Sequence, residues 1–327
     1  MIYKCKNCGG NTVYHPDKKK MYCPHCEGTD SEEEVKASSI TECANCGAPL
    51  EVSRYTSACR CEHCGCYAIL EERVEGEYTP HLILPFQISK EKAVELLRKE
   101  FQSRYFTPAT FLSTATLEGM EGIYVPFFLY DYMGTFDYAG TGTKVRSWRR
   151  GNTEYVETSW FRVERNLEID FDRIPVDASI DMNDVMMDLL EPYDQGALES
   201  FQKKYMSGFE GERYSEGMMS LERRALEKAR RDAEELLRET LSGYTALHAD
   251  RKHLNLDRQK AEYALLPVWV YYYNWHGQKY AYYVNGQSGK VLGKTPVSKG
   301  KMLAYGGTLW GFLFLAMLLA KMILEVL

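Results

Sequence analysis

The feature that most constrains this chain is a cysteine pattern that occurs twice. CKNCGGNTVYHPDKKKMYCPHC covers residues 5–26, and CANCGAPLEVSRYTSACRCEHC covers residues 43–64. Each stretch holds two Cys-x-x-Cys pairs, and each cysteine of the first copy has a counterpart 38 residues later. Two such pairs suit one tetrahedral zinc ion, because a two-residue gap lets both sulfurs of a pair turn onto the same metal. Gly9, Gly47 and Gly65 follow the closing cysteine of a pair, where the chain must turn sharply. The pattern predicts two zinc ribbons and two Zn2+ ions. One is held by Cys5, Cys8, Cys23 and Cys26, the other by Cys43, Cys46, Cys61 and Cys64. The rival reading is a disulfide framework. It requires an oxidising compartment and usually a signal peptide, and the opening MIYKCKNC has no apolar run.

Cys59 and Cys66 flank the second set; either could be a spare ligand or replace Cys61 or Cys64, and the reading preferred is two free thiols beside the site. His25 and His63 lie inside cysteine pairs, where a ligating imidazole would compete with its own neighbours, so both are expected to be exposed. Each ribbon is too small to build a core of its own, so metal is expected to supply its folding energy.

The other end of the chain is apolar. Residues 303–320, LAYGGTLWGFLFLAMLLA, carry no charge, and apolar residues dominate to residue 327. As a helix, residues 303–327 would be about 37 Å long, enough to cross a hydrocarbon core of about 30 Å. Lys290, Lys294, Lys299 and Lys301 precede this run, and only Lys321 lies beyond its centre. That asymmetry predicts a single-pass, tail-anchored protein in the cell membrane, with the N-terminal domains in the cytoplasm. A reducing cytosol also suits zinc-thiolate sites.

Between the ends, DSEEEVK and EERVEGEY read as charged, solvated spacers. HLILPFQI reads as a strand and SKEKAVELLRKEF as a helix capped by Ser89, with Ala93, Val94, Leu97 and Phe101 on one face. GIYVPFFLYDYMGTFDYAGTGTKV reads as a hairpin broken at Met133-Gly134, and TEYVETSWFRVERNLEIDF as one or two further strands. DMNDVMMDLLEPYD predicts a short helix with Met182, Val185, Met186, Leu189 and Leu190 on one face. A long helix over residues 218–241 follows, with a stripe of Leu221, Ala225, Ala229, Ala233, Leu236 and Leu237. YALLPVWVYYYNWHGQKYAYYVNGQSGKVLG reads as a meander turning at His276-Gly277 and Asn285-Gly286. It echoes the earlier aromatic hairpin around Pro126 and Pro267, prolines expected at strand starts or edges.

The expected architecture is therefore an α+β multidomain protein. It comprises two tandem N-terminal zinc ribbons (residues 1–30 and 41–70), an antiparallel-sheet domain with helices on one side and repeated aromatic hairpin units (80–298), and one C-terminal transmembrane helix (303–327).

Motifs for catalysis are missing. GQSGKVLGKT lacks the first glycine of a phosphate loop, since position 288 is serine, and no nucleophile elbow, zincin or dinucleotide fingerprint occurs. Asp177, Asp181, Asp184, Asp188, Glu191 and Asp194 fit no calcium-loop spacing and read as the polar face of a helix. The chain is mildly acidic, with net charge -6, and residues 1–75 hold nine Lys/Arg against twelve Asp/Glu. That balance speaks against a nucleic-acid partner, although a membrane-tethered zinc-ribbon nucleic-acid-binding protein is the alternative to keep.

Taken together, the paired cysteine ribbons, YVPFFLYD, IPVDASIDMNDVMMDLLEPYD, LPVWVYYY, YYVNGQSGKVLGKTP and the apolar tail resemble the membrane-anchored double-zinc-ribbon proteins of Gram-positive bacteria. These are often named after the primosomal helicase for their cysteine pairs, but such a helicase would need a Walker A motif, and this chain has none. The resemblance implies a non-enzymatic adaptor for envelope stress or membrane organisation. Its partners would be the lipid bilayer and a cytosolic or membrane-associated protein of the SPFH/flotillin-like or phage-shock type.

Overall fold

In chain order the elements are β1 (Ile2–Cys5), β2 (Val13–His15), β3 (Lys20–Tyr22), β4 (Glu32–Val35), β5 (Thr56–Arg60), β6 (Tyr67–Ile69), β7 (Leu82–Ile83), α1 (Lys90–Gln102), β8 (Glu121–Arg150), β9 (Thr153–Asp177), α2 (Asp184–Leu190), β10 (Glu199–Ser200), β11 (Glu210–Glu212), α3 (Met218–Thr240), β12 (Ala246–Trp275), β13 (Gln278–Asn285), β14 (Val291–Gly293) and α4 (Lys299–Val326). They come from a computed structural model that describes residues 1–37, 39, 41–108, 111, 117 and 119–326. The chain is mixed α and β. A ten-stranded sheet runs in the order β10-β7-β12-β8-β11-β5-β6, with β9 beside β8, and β13 and β14 beyond β12.

Two strands dominate. β8 and β12 each run for 30 residues and pair antiparallel from Ala246↔Thr143 to Val270↔Glu121. The expected break at Met133-Gly134 is absent: Met133 and Gly134 lie mid-strand, opposite Asp257 and Leu256. Glycine is needed there for closeness rather than for a turn. A Cβ on Gly134 would stand 1.9 Å from the Asn255 carbonyl oxygen. The hairpin turns instead at Gly151, with φ of 62°.

Helices cover both faces of the sheet, not one. Tyr124, Phe128, Tyr130 and Tyr132 of β8 join a core with Ala93, Leu97 and Phe101 of α1 and Leu221, Ala225 and Ala229 of α3. The alternate residues Val125, Phe127 and Leu129 pack with Met187 and Leu190 of α2. IYVPFFLY is a continuous apolar run without alternation, the pattern of a strand buried on both sides.

Pro126 and Pro267 lie inside strands, where a missing N–H would ordinarily cost a ladder bond. Each sits where a neighbour changes. β9 ends opposite Phe127, and Ala178 then donates to the Pro126 carbonyl at 2.8 Å. β12 pairs with β7 through Leu265 and with β13 from Val268 onward, leaving Pro267 at the junction.

The helix stripes differ from expectation in detail. In α2, Met187 and Leu190 are buried, while Val185 and Leu189 are more than half exposed or close to it. In α3, Leu236 faces outward and Lys228 takes a buried position between Ala225 and Ala229. Lys228 Nζ donates to the Pro175 carbonyl at 2.6 Å and meets Glu191 at 2.5 Å and Asp188 at 3.2 Å. Arg224 meets Asp177 at 2.7 Å and Asp188 at 2.8 Å. With Asp184 3.4 Å from Arg224, four of the six acidic residues are ion-paired against α3 rather than forming a solvated face. The segment after α2 is clamped from the other side. Asn285 Nδ2 donates to the Leu190 carbonyl at 3.1 Å, and the Gln287 amide bridges the N–H and C=O of Asp194 at 2.7 and 3.0 Å.

Candidate metal centres

All four Cys-x-x-Cys knuckles share one backbone design. The N–H of the first cysteine donates to a carbonyl five residues on: Cys5 to Gly10, Cys23 to Gly28, Cys43 to Ala48 and Cys61 to Cys66, at 2.8–2.9 Å. The N–H of the residue after the second cysteine returns to the first cysteine's carbonyl at 2.8 Å in every knuckle. That closure requires a left-handed residue. Gly9, Gly47 and Gly65 supply it with φ of 70–73°, and Glu27 adopts φ of 61° in the remaining knuckle.

The knuckles bring the eight predicted ligands into two groups of four, and the sulfurs of each group lie within 4.8 Å of one another. Cys5 and Cys26 stand 3.6 Å apart and Cys8 and Cys23 3.5 Å. In the second group Cys43–Cys64 is 3.6 Å and Cys46–Cys61 is 3.8 Å. A tetrahedron with metal–sulfur bonds of about 2.3 Å has edges of about 3.8 Å. Both groups could therefore hold a metal ion. In the first, the Ser31 hydroxyl lies 3.5 Å from Cys5 Sγ. With the N–H groups of Asn7 and Cys8, it holds the Cys5 thiol down to about 6, which favours the ligating thiolate.

Cys59 and Cys66 are both buried. Cys66 Sγ lies 3.3 Å from both Cys43 and Cys64, and burial pushes its thiol far above the usual range. Burial also raises Cys59, to about 11. Burial thus favours the neutral thiol at both positions, and Cys66 stands in contact with two sulfurs of the second group. His25 and His63 are exposed.

The two modules are embedded differently. In the first, β2 and β3 form their own two-stranded sheet. It docks through Tyr14, whose N–H donates to the Ser207 carbonyl at 2.7 Å and whose ring meets Tyr205 edge-on at 5.1 Å. In the second, β5 and β6 belong to the main sheet, with Ala58 paired to Gly211 of β11, which in turn runs parallel to β8. The presumed spacers are ordered. β4, from DSEEEVK, pairs antiparallel with β1, and Glu71, from EERVEGEY, meets Lys203 at 3.0 Å and Lys36 at 3.1 Å. Sequence reasoning missed the consequence for the second core. Ile2, three residues before Cys5, is buried among Cys43, Cys61, Cys66 and Ala68, and Lys4 donates to the Asn45 amide inside the opposite knuckle.

α4 leaves the sheet at the edge opposite β5 and β6. It is long and apolar enough to cross a membrane, and among the described residues its membrane-length stretch is not buried. Its first turns are held by the body: Ser298 donates to the Phe106 carbonyl at 2.9 Å, Lys301 to the Thr107 carbonyl at 2.8 Å, and Tyr305 packs on Tyr105 and Phe106.

Fold and site together define a class of protein: two four-cysteine modules fused to one large sheet that ends in an exposed apolar helix. Over 333 aligned residues the chain is 33% identical to the uncharacterized protein YdjG of Bacillus subtilis (strain 168), with 98% of each chain covered, and it belongs to that family. No family model matches it, and no solved structure does.

Proposed function

We propose that this protein is a non-enzymatic, tail-anchored membrane adaptor whose zinc-loaded modules recruit a cytosolic partner. The observation that carries this reading is the division of the molecule. The second four-cysteine group is built on one edge of the main sheet with the first packed beside it, and the apolar helix leaves the opposite edge. Zinc is the metal that a four-thiolate tetrahedron in a reducing compartment favours, and once bound it cross-links each pair of knuckles. Lys290, Lys294, Lys299 and Lys301 on the body side of α4 favour a cytosolic body. The resemblance to membrane-anchored double-zinc-ribbon proteins supplies the partner class, an SPFH/flotillin-like or phage-shock-type protein.

The test is partner capture from solubilised membranes, followed by imaging of a tagged partner in cells carrying the intact protein or Cys23→Ser. The expected result is loss of partner recruitment with the protein still in the membrane fraction. Normal recruitment by Cys23→Ser would move the docking surface off the first module. Tight, steeply salt-dependent binding to DNA would replace the adaptor by a membrane-tethered nucleic-acid binder.

A further inference from the structure

We propose that the tip of the β8–β9 arm is a docking surface for an anionic lipid bilayer, distinct from α4. β12 stops pairing with β8 at Thr143, and beyond that point the arm is two strands only, from Lys144↔Ser159 to Arg150↔Thr153. No other element covers these strands among the described residues, yet they are rich in large apolar side chains. Val156 is 64% exposed, Val145, Trp148 and Tyr155 are each more than two-fifths exposed, and Trp160, at the base of the arm opposite Thr143, is 72% exposed. A patch of this kind in water marks an interaction site.

The distribution of these side chains points to the occupant. On one face Trp148 stacks on Tyr155 at 5.7 Å, with the Arg146 guanidinium 5.8 Å from the Trp148 ring. On the other face lie Val145, Val156 and Trp160, because alternate residues of a strand point to opposite sides. A folded partner or a stacked nucleic-acid strand would cover one face and leave the other in water. A bilayer interface surrounds the tip and covers both. Trp and Tyr favour that interface. Lys144, Arg146, Arg149 and Arg150 outnumber Glu154 and Glu157 on the same segment, which selects anionic headgroups. Insertion stops at headgroup depth, since the outer backbone edges of a two-stranded hairpin cannot be left unpaired in hydrocarbon.

The tip is remote from α4. β12 runs from the arm at Ala246 to Trp275, beside residues 297–300 at the start of α4. Thirty residues at about 3.3 Å each place the two sites on the order of 100 Å apart along the strand.

The experiment places the full-length protein, with α4 inserted, in nanodiscs of phosphatidylcholine, which keep α4 and its Trp310 from the added vesicles. Vesicles of phosphatidylcholine, with or without brominated phosphatidylglycerol, are then added. The expected result is flotation with the anionic vesicles only, together with tryptophan quenching by the bromine. Flotation should fall about tenfold or more in Arg146→Ser/Arg150→Ser and in Trp148→Ser/Val156→Ser. The quenching is read on the unaltered protein, so it does not depend on the variants folding. Equal binding to neutral vesicles, flotation without quenching, unchanged flotation of both variants, or preferential binding to oligo-dT or to an acidic protein through the same residues would overturn the proposal.

Discussion

The two cysteine modules share one ligand pattern and one knuckle geometry, yet they stand in different relations to the rest of the molecule. The first has its own small hairpin and packs on the body through Tyr14, Met21 and the loop at Ser207, without adding a strand to the main sheet. The second lends β5 and β6 to the main sheet and takes Ile2 from the first module into its core. A local sequence device therefore fixes a four-cysteine group that could hold a metal, but not how far its loss would spread.

The largest test of that contrast is ligand loss, since a structural zinc site of this kind carries about 10 kcal/mol or more of folding free energy. Cys61→Ser should raise amide hydrogen exchange through β5, β6 and into β11. Cys23→Ser should do so mainly in β2 and β3. Equal loss of protection at β11 in both variants would break the comparison. Next in size is Ile2→Ala, which deletes a fully buried side chain and should cost about 2–4 kcal/mol. Under chelator competition the second site should lose metal faster while the first, though nearer in sequence, keeps its rate. Preferential loss from the first site would show that β1 serves only its own module.

pH should move modules and body in opposite directions. Acid protonates thiolates and releases metal. In the body, burial outweighs Arg224 and raises Asp177 to about 6, and burial outweighs Lys228 and raises Glu191 to about 7. A carboxyl whose folded pKa is raised contributes stability that is complete below its unfolded value near 4. That contribution is lost as pH rises through 6 to 7. The expected gain in body stability between pH 8 and 5 is about 1–3 kcal/mol, and Glu191→Gln should flatten it in thermal melts. The smallest effect lies in the odd knuckle. Glu27→Gly relieves a left-handed side-chain-bearing residue and should stabilise the first module by about 1 kcal/mol. Gly65→Ala should cost the second module a similar amount. Both are read as rates of metal loss.

The metal groups were legible because spacing, turn residue and ligand type all sit within a few residues of each other. The long helix over 218–240 and the turns at His276-Gly277 and Asn285-Gly286 were legible for the same reason. Met133-Gly134 misled because a glycine that admits a neighbouring backbone looks, in sequence, like one that turns the chain. Lys228 was invisible as a core residue, since its place depends on Glu191 and Pro175, brought together only by the fold. The joining of β5 to β11 left no signal at all, because β11 is three residues long and its partner lies far back in the chain.

The pairing of β8 with β12 also has a kinetic side. The β8–β9 hairpin closes through neighbours in sequence, but β12 must find β8 across more than a hundred residues, with Val270 meeting Glu121 last in chain distance. Loops of that length make sheet closure slow. Until β12 is synthesised, β8 presents an open apolar edge, the kind of surface on which chains aggregate. The expected consequence is that a chaperone shielding residues 123–130 raises the yield of folded protein more than added zinc does.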